Sequence, residues 1–188
     1  MKDCPVRSGR RWRRATAALL CALAAALPAA GSAEGLTEAQ LRARFLLNFL
    51  RFTEWPTPAA ADPGAPLVVC VLGMGDPLEG ALAQLQDASV GSRKVFARGS
   101  VDADRAGDCH LLYVPDGELQ RLPAARESIG RRPVLIVGES EAVLDRGGMI
   151  ALRNSDRHLT FVVNLAPTRH AGLGFSAQML HAAAEVLR

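Results

Sequence analysis

Two cysteines are the residues of this sequence best suited to covalent chemistry. Cys70 and Cys109 remain when the two cysteines of the first 33 residues are set aside. In an oxidising compartment such a pair predicts one disulfide. A loop of about 40 residues closed in this way stabilises a fold by roughly 4 kcal/mol in the chain-entropy model. This disulfide is either a structural bond or a redox-sensitive regulatory bond. Thioredoxin-like catalysis is not expected, because its C-x-x-C motif is absent.

Other arrangements that could support catalysis or bind a metal or cofactor lack the required spacing. Ser176 is not within a G-x-S-x-G nucleophile elbow. The segment from Gly73 begins like a dinucleotide-binding loop, but Leu78 stands where the third glycine is needed. Cys109 and His110 are adjacent, so on a strand they point to opposite faces and do not form a zinc site. We therefore predict a protein that is not an enzyme and holds no cofactor or metal.

Six residues are candidates for contacting a partner or a ligand: Trp55, Arg146, Asn164, Arg169, His170 and Gln178. Trp55 precedes Pro56 and is either the packed exit of a helix or a partner-facing aromatic side chain. Arg146 precedes two glycines, which form either a strand-entry turn with positive φ or an anion-binding nest.

The other candidates lie near predicted helix ends. Asn164 is expected to cap a short helix. Arg169 and His170 near its end either bind a small anionic ligand or form a solvated surface pair. Gln178 lies just inside the start of the next helix. It is either beside backbone N–H groups that could bind an anion or part of a solvated first turn.

The first 33 residues have the pattern of a secretory signal peptide. They contain six basic residues before position 15, an uncharged apolar stretch over Ala15–Leu27, and small residues up to Ala33. This order predicts a cleavable signal over residues 1–33, a domain over residues 34–188, and export to the periplasm.

Removal of residues 1–33 changes the charge balance. Six of the 22 basic and one of the 19 acidic residues would be lost, which leaves 16 basic and 18 acidic residues and a net charge of −2. That charge gives no reason to expect nucleic-acid binding. The remaining chain has no second apolar segment of spanning length, so we expect no stable membrane insertion after cleavage.

The elements that must position these residues alternate between strands and helices. Thr37 and Gln40 form a capping-box pattern before a helix that should end near Phe52. Three continuous apolar runs predict strands buried on both faces: residues 67–72, 110–114 and 133–137. Residues 94–98 are predicted as a short edge strand. Asp116 is expected to start helical turns to about Glu127, with a break or restart at Pro123.

The C-terminal part predicts a β-hairpin formed by residues 149–152 and 159–163. Ser176 is expected to cap a last helix whose apolar stripe reaches Leu187. These elements predict one α/β domain, with a mixed, mostly parallel sheet flanked by helices and a C-terminal β-hairpin.

Several short motifs in order carry a family resemblance. They are F-x-x-W-P at Phe52–Pro56, C-H-x-L-[YF]-V at Cys109–Val114, R-G-G-M-I at Arg146–Ile150, F-x-[IV]-N-L at Phe161–Leu165, A-G-L at Ala171–Leu173 and S-[SA]-Q-[LM]-L at Ser176–Leu180. In this order they resemble the YfiR/HmsC-like family over nearly all of the chain after residue 33.

The resemblance implies a periplasmic repressor of an inner-membrane diguanylate cyclase, which binds the periplasmic sensor region of that enzyme and lowers cyclic-di-GMP signalling. Members are linked to control of biofilm and exopolysaccharide, and the state of their disulfides is implicated in activity. Some members carry a further cysteine pair near residues 142–150, where this sequence has no cysteine.

We expect the partner contact on apolar surface of the C-terminal hairpin or last helices, a surface that would also suit a homodimer. The alternative is a small-ligand-binding sensor subunit of a membrane histidine kinase, which predicts a polar pocket at the carboxyl ends of the strands. An envelope oxidoreductase is a third interpretation.

Overall fold

The computed structural model describes residues 36–56, 64–155 and 158–188. The described chain belongs to one unit, Leu36–Arg188. The predicted signal peptide, residues 1–33, lies outside the described residues. No helix in the described ranges combines the length and the apolar character needed to cross a membrane.

The helices and strands alternate along the chain as the sequence predicts. The α-helices are α1 (Glu38–Phe52), α2 (Leu78–Ala83), α3 (Leu122–Ile129), α4 (Leu165–His170) and α5 (Ala177–Ala182). The strands are β1 (Thr53–Glu54), β2 (Leu67–Leu72), β3 (Ser89–Val90), β4 (Arg93–Val101), β5 (Leu111–Val114), β6 (Leu135–Gly138), β7 (Ile150–Ser155), β8 (His158–Asn164), β9 (Gly174–Phe175) and β10 (Glu185–Leu187). Short 3₁₀ helices span Ala103–Asp108, Asp116–Arg121 and Glu141–Arg146.

Eight strands form one mixed sheet in the order β10-β8-β7-β6-β5-β2-β4-β3. Its neighbours are parallel except for the antiparallel pairs β7–β8 and β3–β4. The β7–β8 pair is the predicted hairpin, with Ile150 opposite Val163. The predicted α/β class, with a mixed and mostly parallel sheet, is therefore confirmed.

Each side of the sheet carries its own apolar core. Along β2, Val69 and Val71 belong to one core, whereas Val68, Cys70 and Leu72 belong to the other. Helices α1, α2 and α5 cover the first face, and α3 covers the second. This alternation explains why the predicted central strands are mainly apolar, since both faces are buried.

Local signals set the helix starts. In α1, the Thr37 side chain accepts from the backbone of Gln40 and the Gln40 side chain accepts from the backbone of Thr37, as the capping box predicts. Ser176 likewise accepts from the backbone N–H of Met179 at the start of α5. Helix α1 ends at Phe52, as predicted.

Two predicted elements differ from the structure. The expected edge strand at 94–98 is β4, nine residues long, and it lies between β2 and β3. The predicted restart at Pro123 is confirmed, because a 3₁₀ helix ends at Arg121 and α3 begins at Leu122. Pro123 lies in the first turn of α3, where its missing N–H has no helical partner to lose.

The second difference lies at the C-terminal end of the fold. The expected last helix to Leu187 ends at Ala182 instead. The residues after it form β10, which pairs in parallel with β8 and places Val186 opposite Val163. The apolar spacing of Val186 and Leu187 suited a helix as well as a strand, so periodicity alone did not distinguish the two.

Candidate functional site

A groove of about 280 Å³ lies between α1, the hairpin strand β8 and α5. Its lining contains no Asp, Glu, Lys, Arg or His: Phe45, Asn48, Phe49, Phe52, Leu159, Thr160, Phe161, Gln178, Met179 and Ala182. We call this surface the apolar groove. An uncharged groove with an aromatic floor suits an apolar segment of a protein partner.

Three phenylalanines form the floor of the apolar groove. The rings of Phe49 and Phe161 are 5.0 Å apart, and Phe45 lies 5.9 Å from Phe49 and 6.2 Å from Phe161. All three pairs are edge-to-face, an arrangement that holds the rings in place. Phe49 and Phe161 are buried, while Phe45 is half-buried.

Helix α1 carries more apolar surface than the core covers. Four residues of α1 are buried in the core: Ala43, Leu46, Phe49 and Leu50. Phe45 and Phe52, at i and i+7, remain half-buried and face the groove. The sequence signal for this site is an apolar stripe on α1 that is wider than the part the core covers.

Gln178 is the predicted site residue that lies in the apolar groove. It is exposed, whereas its neighbour Met179 is buried beneath the groove. β8 of the hairpin and the last helix α5 both line this groove, and the partner contact on the hairpin or last helices stays a prediction. The contribution of α1 was not predicted.

Trp55 is placed elsewhere. Its half-buried ring meets His110 edge to face at 5.8 Å, and its indole nitrogen is enclosed without a hydrogen-bond partner among the described residues. His110 accepts from the backbone N–H of Val68 and lies 2.9 Å from Arg93. Burial, together with the Arg93 charge, lowers the pKa of His110 to about 4.

Asn164 has the predicted structural position. Its side chain accepts from the backbone N–H of Ala166 and caps α4, while its carbonyl accepts from the Thr168 hydroxyl at 2.6 Å. These bonds fix the turn between β8 and α4.

Arg146, Arg169 and His170 lie near a second cavity, of about 420 Å³. His170 lines it, and Arg169, next in sequence, is exposed. Arg146 precedes Gly147, which lines the cavity and has φ +86°. The predicted positive-φ turn is therefore present.

Side chains from three elements lie at the carboxyl ends of the central strands, where the small-ligand interpretation expects a polar pocket. Arg42 of α1 forms a 2.6 Å ion pair with Glu139 and lies 3.4 Å from the Tyr113 hydroxyl. Burial of the phenol raises the pKa of Tyr113, and the Arg42 charge opposes that effect. Glu118 packs over Gly73.

Cys70 and Cys109 form the predicted disulfide, with Cα atoms 6.1 Å apart. Their exposed fractions are 0% and 5%, and both lie in the core beneath α3. Such burial limits access of reductants to the sulfur atoms. Within the described ranges, no three His, Cys, Asp or Glu side chains are grouped to hold a metal ion.

Comparison with known proteins gives a family and a fold. A family model described as YfiR/HmsC-like matches residues 39–184. No curated protein matches the sequence.

Two solved structures are similar in fold. A conserved domain protein from Vibrio cholerae has a TM-score of 0.51 and 10% identity, with 81% of this chain and 61% of that chain covered. The ABC domain in complex with L-Trp from Streptococcus pneumonia has a TM-score of 0.51 and 10% identity, with 79% and 60% covered. The chain thus spans about three fifths of each structure, and identity this low shows the fold alone.

Proposed function

This chain belongs to the YfiR/HmsC-like family, and we propose from that membership that it is a periplasmic regulator of cyclic-di-GMP signalling. It binds the periplasmic sensor region of an inner-membrane diguanylate cyclase and keeps that enzyme inactive. The proposal assigns no catalytic step to this chain, which acts by protein–protein contact.

The apolar groove is the observation that supports this contact. Its floor presents aromatic rings, and its rim carries the uncharged polar groups of Asn48, Thr160 and Gln178. Aromatic side chains are enriched at the centres of protein interfaces, where charged residues are depleted. The occupant is therefore an apolar segment of the sensor region, with few charges along the side that enters.

Repression requires a difference in affinity between two states of the cyclase. A regulator that binds the active and inactive forms of the cyclase with equal affinity does not change their populations, however tightly it binds. A shift of the cyclase from 1:99 to 99:1 in favour of the inactive form requires about 10⁴-fold tighter binding to that form. We therefore propose that the segment which enters the groove is accessible only in the inactive sensor region.

Periplasmic location is supported by the disulfide. A buried Cys70–Cys109 bond is typical of proteins that fold in an oxidising compartment. The predicted signal peptide would deliver the chain there.

Direct binding tests the proposal. The mature wild-type protein should bind the purified periplasmic region of a membrane diguanylate cyclase from its own host in titration calorimetry. Ala182→Arg and Asn48→Arg each place a charge at the groove from an exposed position, on α5 and α1 respectively. Burial of an unpaired charge against the partner should weaken binding at least about tenfold in each variant.

A matched control is Ala124→Arg, which adds the same charge at an exposed position of α3, the helix that covers the other face of the sheet. It should leave the affinity unchanged. The groove is not the contact if the two groove variants bind as tightly as this control. A wild-type dimer that Ala182→Arg converts to a monomer would show that a second copy also occupies the groove.

A further inference from the structure

The second cavity, lined by residues of α3, β6 and α4, has a strongly asymmetric charge. Its lining contains three basic side chains and no carboxylate: Arg126, Ile129, Gly130, Arg132, Val134, Ile136, Gly147, Met149, Ala166, Pro167, His170 and Ala171. Its volume of about 420 Å³ is within the range of small-molecule sites. We call it the arginine pocket.

Arg126 is held in place by backbone. Its guanidinium donates to the carbonyl of Arg146 at 3.2 Å. It also packs flat against Gly147, where a Cβ atom would come within 2.7 Å of the guanidinium carbon. Gly147 therefore leaves space for the Arg126 guanidinium, and it also adopts the positive φ of this turn.

Arg132 is held by the same means. Its guanidinium donates to the carbonyls of Ser128 and Ile129 in the last turn of α3. A Cβ atom at Gly107 would lie 2.2 Å from its guanidinium carbon. Arg126 and Arg132 both line the pocket, and backbone carbonyls hold each guanidinium, which lowers the entropy lost when it binds an anion.

The positive charge of the pocket is not neutralised within the described residues. Neither Arg126 nor Arg132 forms an ion pair there, although five other arginines do. Each arginine uses carbonyl oxygens for part of its five donors, and the others remain for a ligand. Guanidinium groups with such remaining N–H donors form charge-assisted hydrogen bonds with carboxylate and phosphate oxygens.

The rest of the lining is apolar. Ile129, Val134 and Ile136 come from the core on the α3 side of the sheet, and Met149 and Pro167 complete the wall. We infer that the arginine pocket binds a small molecule with a carboxylate or phosphate group joined to an apolar body. Its anionic group pairs with Arg126 and Arg132, and its apolar part packs on these side chains.

This site is separate from the proposed cyclase contact. The pocket shares no lining residue with the apolar groove. Failure of the cyclase proposal would leave the pocket inference intact, and the reverse is also true.

Calorimetry with four probes tests the inference on the mature protein. Phenyl phosphate and phenylacetate carry an anion on an aromatic body, phenol lacks the anion, and inorganic phosphate lacks the apolar body. We expect saturable binding of at least one aromatic anion, weaker binding of inorganic phosphate and none of phenol. The ratio of the two aromatic anions identifies whether phosphate or carboxylate is preferred.

Variants locate the binding. Arg126→Gln and Arg132→Gln should each weaken binding of the aromatic anion about tenfold or more, because each removes a charge-assisted pair. Gly107→Ala should weaken it as well, since the new Cβ displaces Arg132. Arg44→Gln, at an exposed arginine of α1, should have no effect.

Thermal unfolding of each variant confirms that it is folded. Absence of saturable binding by both aromatic anions at millimolar concentration would overturn the inference. Equal binding of phenol, or affinities unchanged by both arginine substitutions, would overturn it too.

Discussion

At the scale of single residues, the environment of His110 shows how position determines chemistry. The ring accepts from the backbone of Val68, contacts Trp55 and lies beside Arg93. A proton added to Nδ1 would break the first contact and oppose the Arg93 charge. The residue that the motif places beside Cys109 is therefore a neutral structural group that links β2 to the start of β5.

The pH dependence of stability follows from that environment. The pKa of His110 is about 4 when folded and 6.5 ordinarily. The neutral ring stabilises the fold fully above about pH 6.5, and this contribution is lost as the pH falls towards 4. After allowance for solvent screening, we expect a loss of about 1–2 kcal/mol in the free energy of unfolding.

Urea unfolding at neutral pH and near pH 4.5 measures this loss. His110→Asn retains an acceptor for Val68 and should have a smaller pH slope than the wild type. Equal slopes in the two proteins would show that His110 does not titrate as described.

The disulfide gives a second prediction at this scale. Cys70→Ala/Cys109→Ala should lower the free energy of unfolding by about 4 kcal/mol, since the closed loop spans 39 residues. Guanidinium unfolding of the double variant measures it. Reduced wild-type protein is the matched control and should lose a similar amount, whereas a change below about 1 kcal/mol in both would contradict the entropic account.

At the scale of elements, helix α1 serves two surfaces. Its capping box and its end were predictable because both depend on neighbours in sequence. The sequence did not predict which apolar residues of α1 lie in the core and which line the apolar groove, because this depends on how far β8 and α5 extend over the helix. The sequence did not predict the strand conformation of β10 for the same reason, because that strand forms by parallel pairing with β8.

Truncation of a fully buried and of a half-buried side chain of α1 should lower the free energy of unfolding by different amounts. Leu46→Ala should lower the free energy of unfolding by about 2–5 kcal/mol, because Leu46 is fully buried. Leu41→Ala, at a half-buried position of the same helix, should cost less than half as much. Chemical denaturation compares the two variants, and equal costs would contradict the assignment of the buried face.

The β10 assignment predicts a change of backbone conformation after Ala182. Residues 177–182 should have helical ¹³Cα chemical shifts, whereas Glu185–Leu187 should have extended shifts. Helical shifts through Leu187 would instead support the continuous helix that the apolar spacing suggested.

At the scale of the whole molecule, the sequence predicted the class and the mixed sheet because buried parallel strands leave continuous apolar runs. It placed an expected partner contact on the hairpin or last helices, but it did not predict the lining of either concave surface. The apolar groove joins residues more than 100 positions apart, such as Phe45 and Phe161, and the arginine pocket joins α3 to α4. Arg126 and Arg132 had no local signal that separated them from ordinary surface arginines.

The predicted site residues are accordingly dispersed in space. Gln178 lies at the apolar groove and His170 at the arginine pocket, while Trp55 packs on His110 and Asn164 caps α4. Residues predicted from short motifs mainly fix turns and helix ends. The two surfaces available to partners depend on tertiary packing.

Cellular cyclic-di-GMP is the measurement that tests the central claim most directly. Deletion of the gene in its host should raise the cyclic-di-GMP concentration, and the wild-type gene or the Ala124→Arg variant should restore it. Ala182→Arg, expressed at the same level, should fail to restore it. An unchanged concentration on deletion, under conditions in which the protein is expressed, would contradict repression of a diguanylate cyclase, and full restoration by Ala182→Arg would contradict the role of the apolar groove.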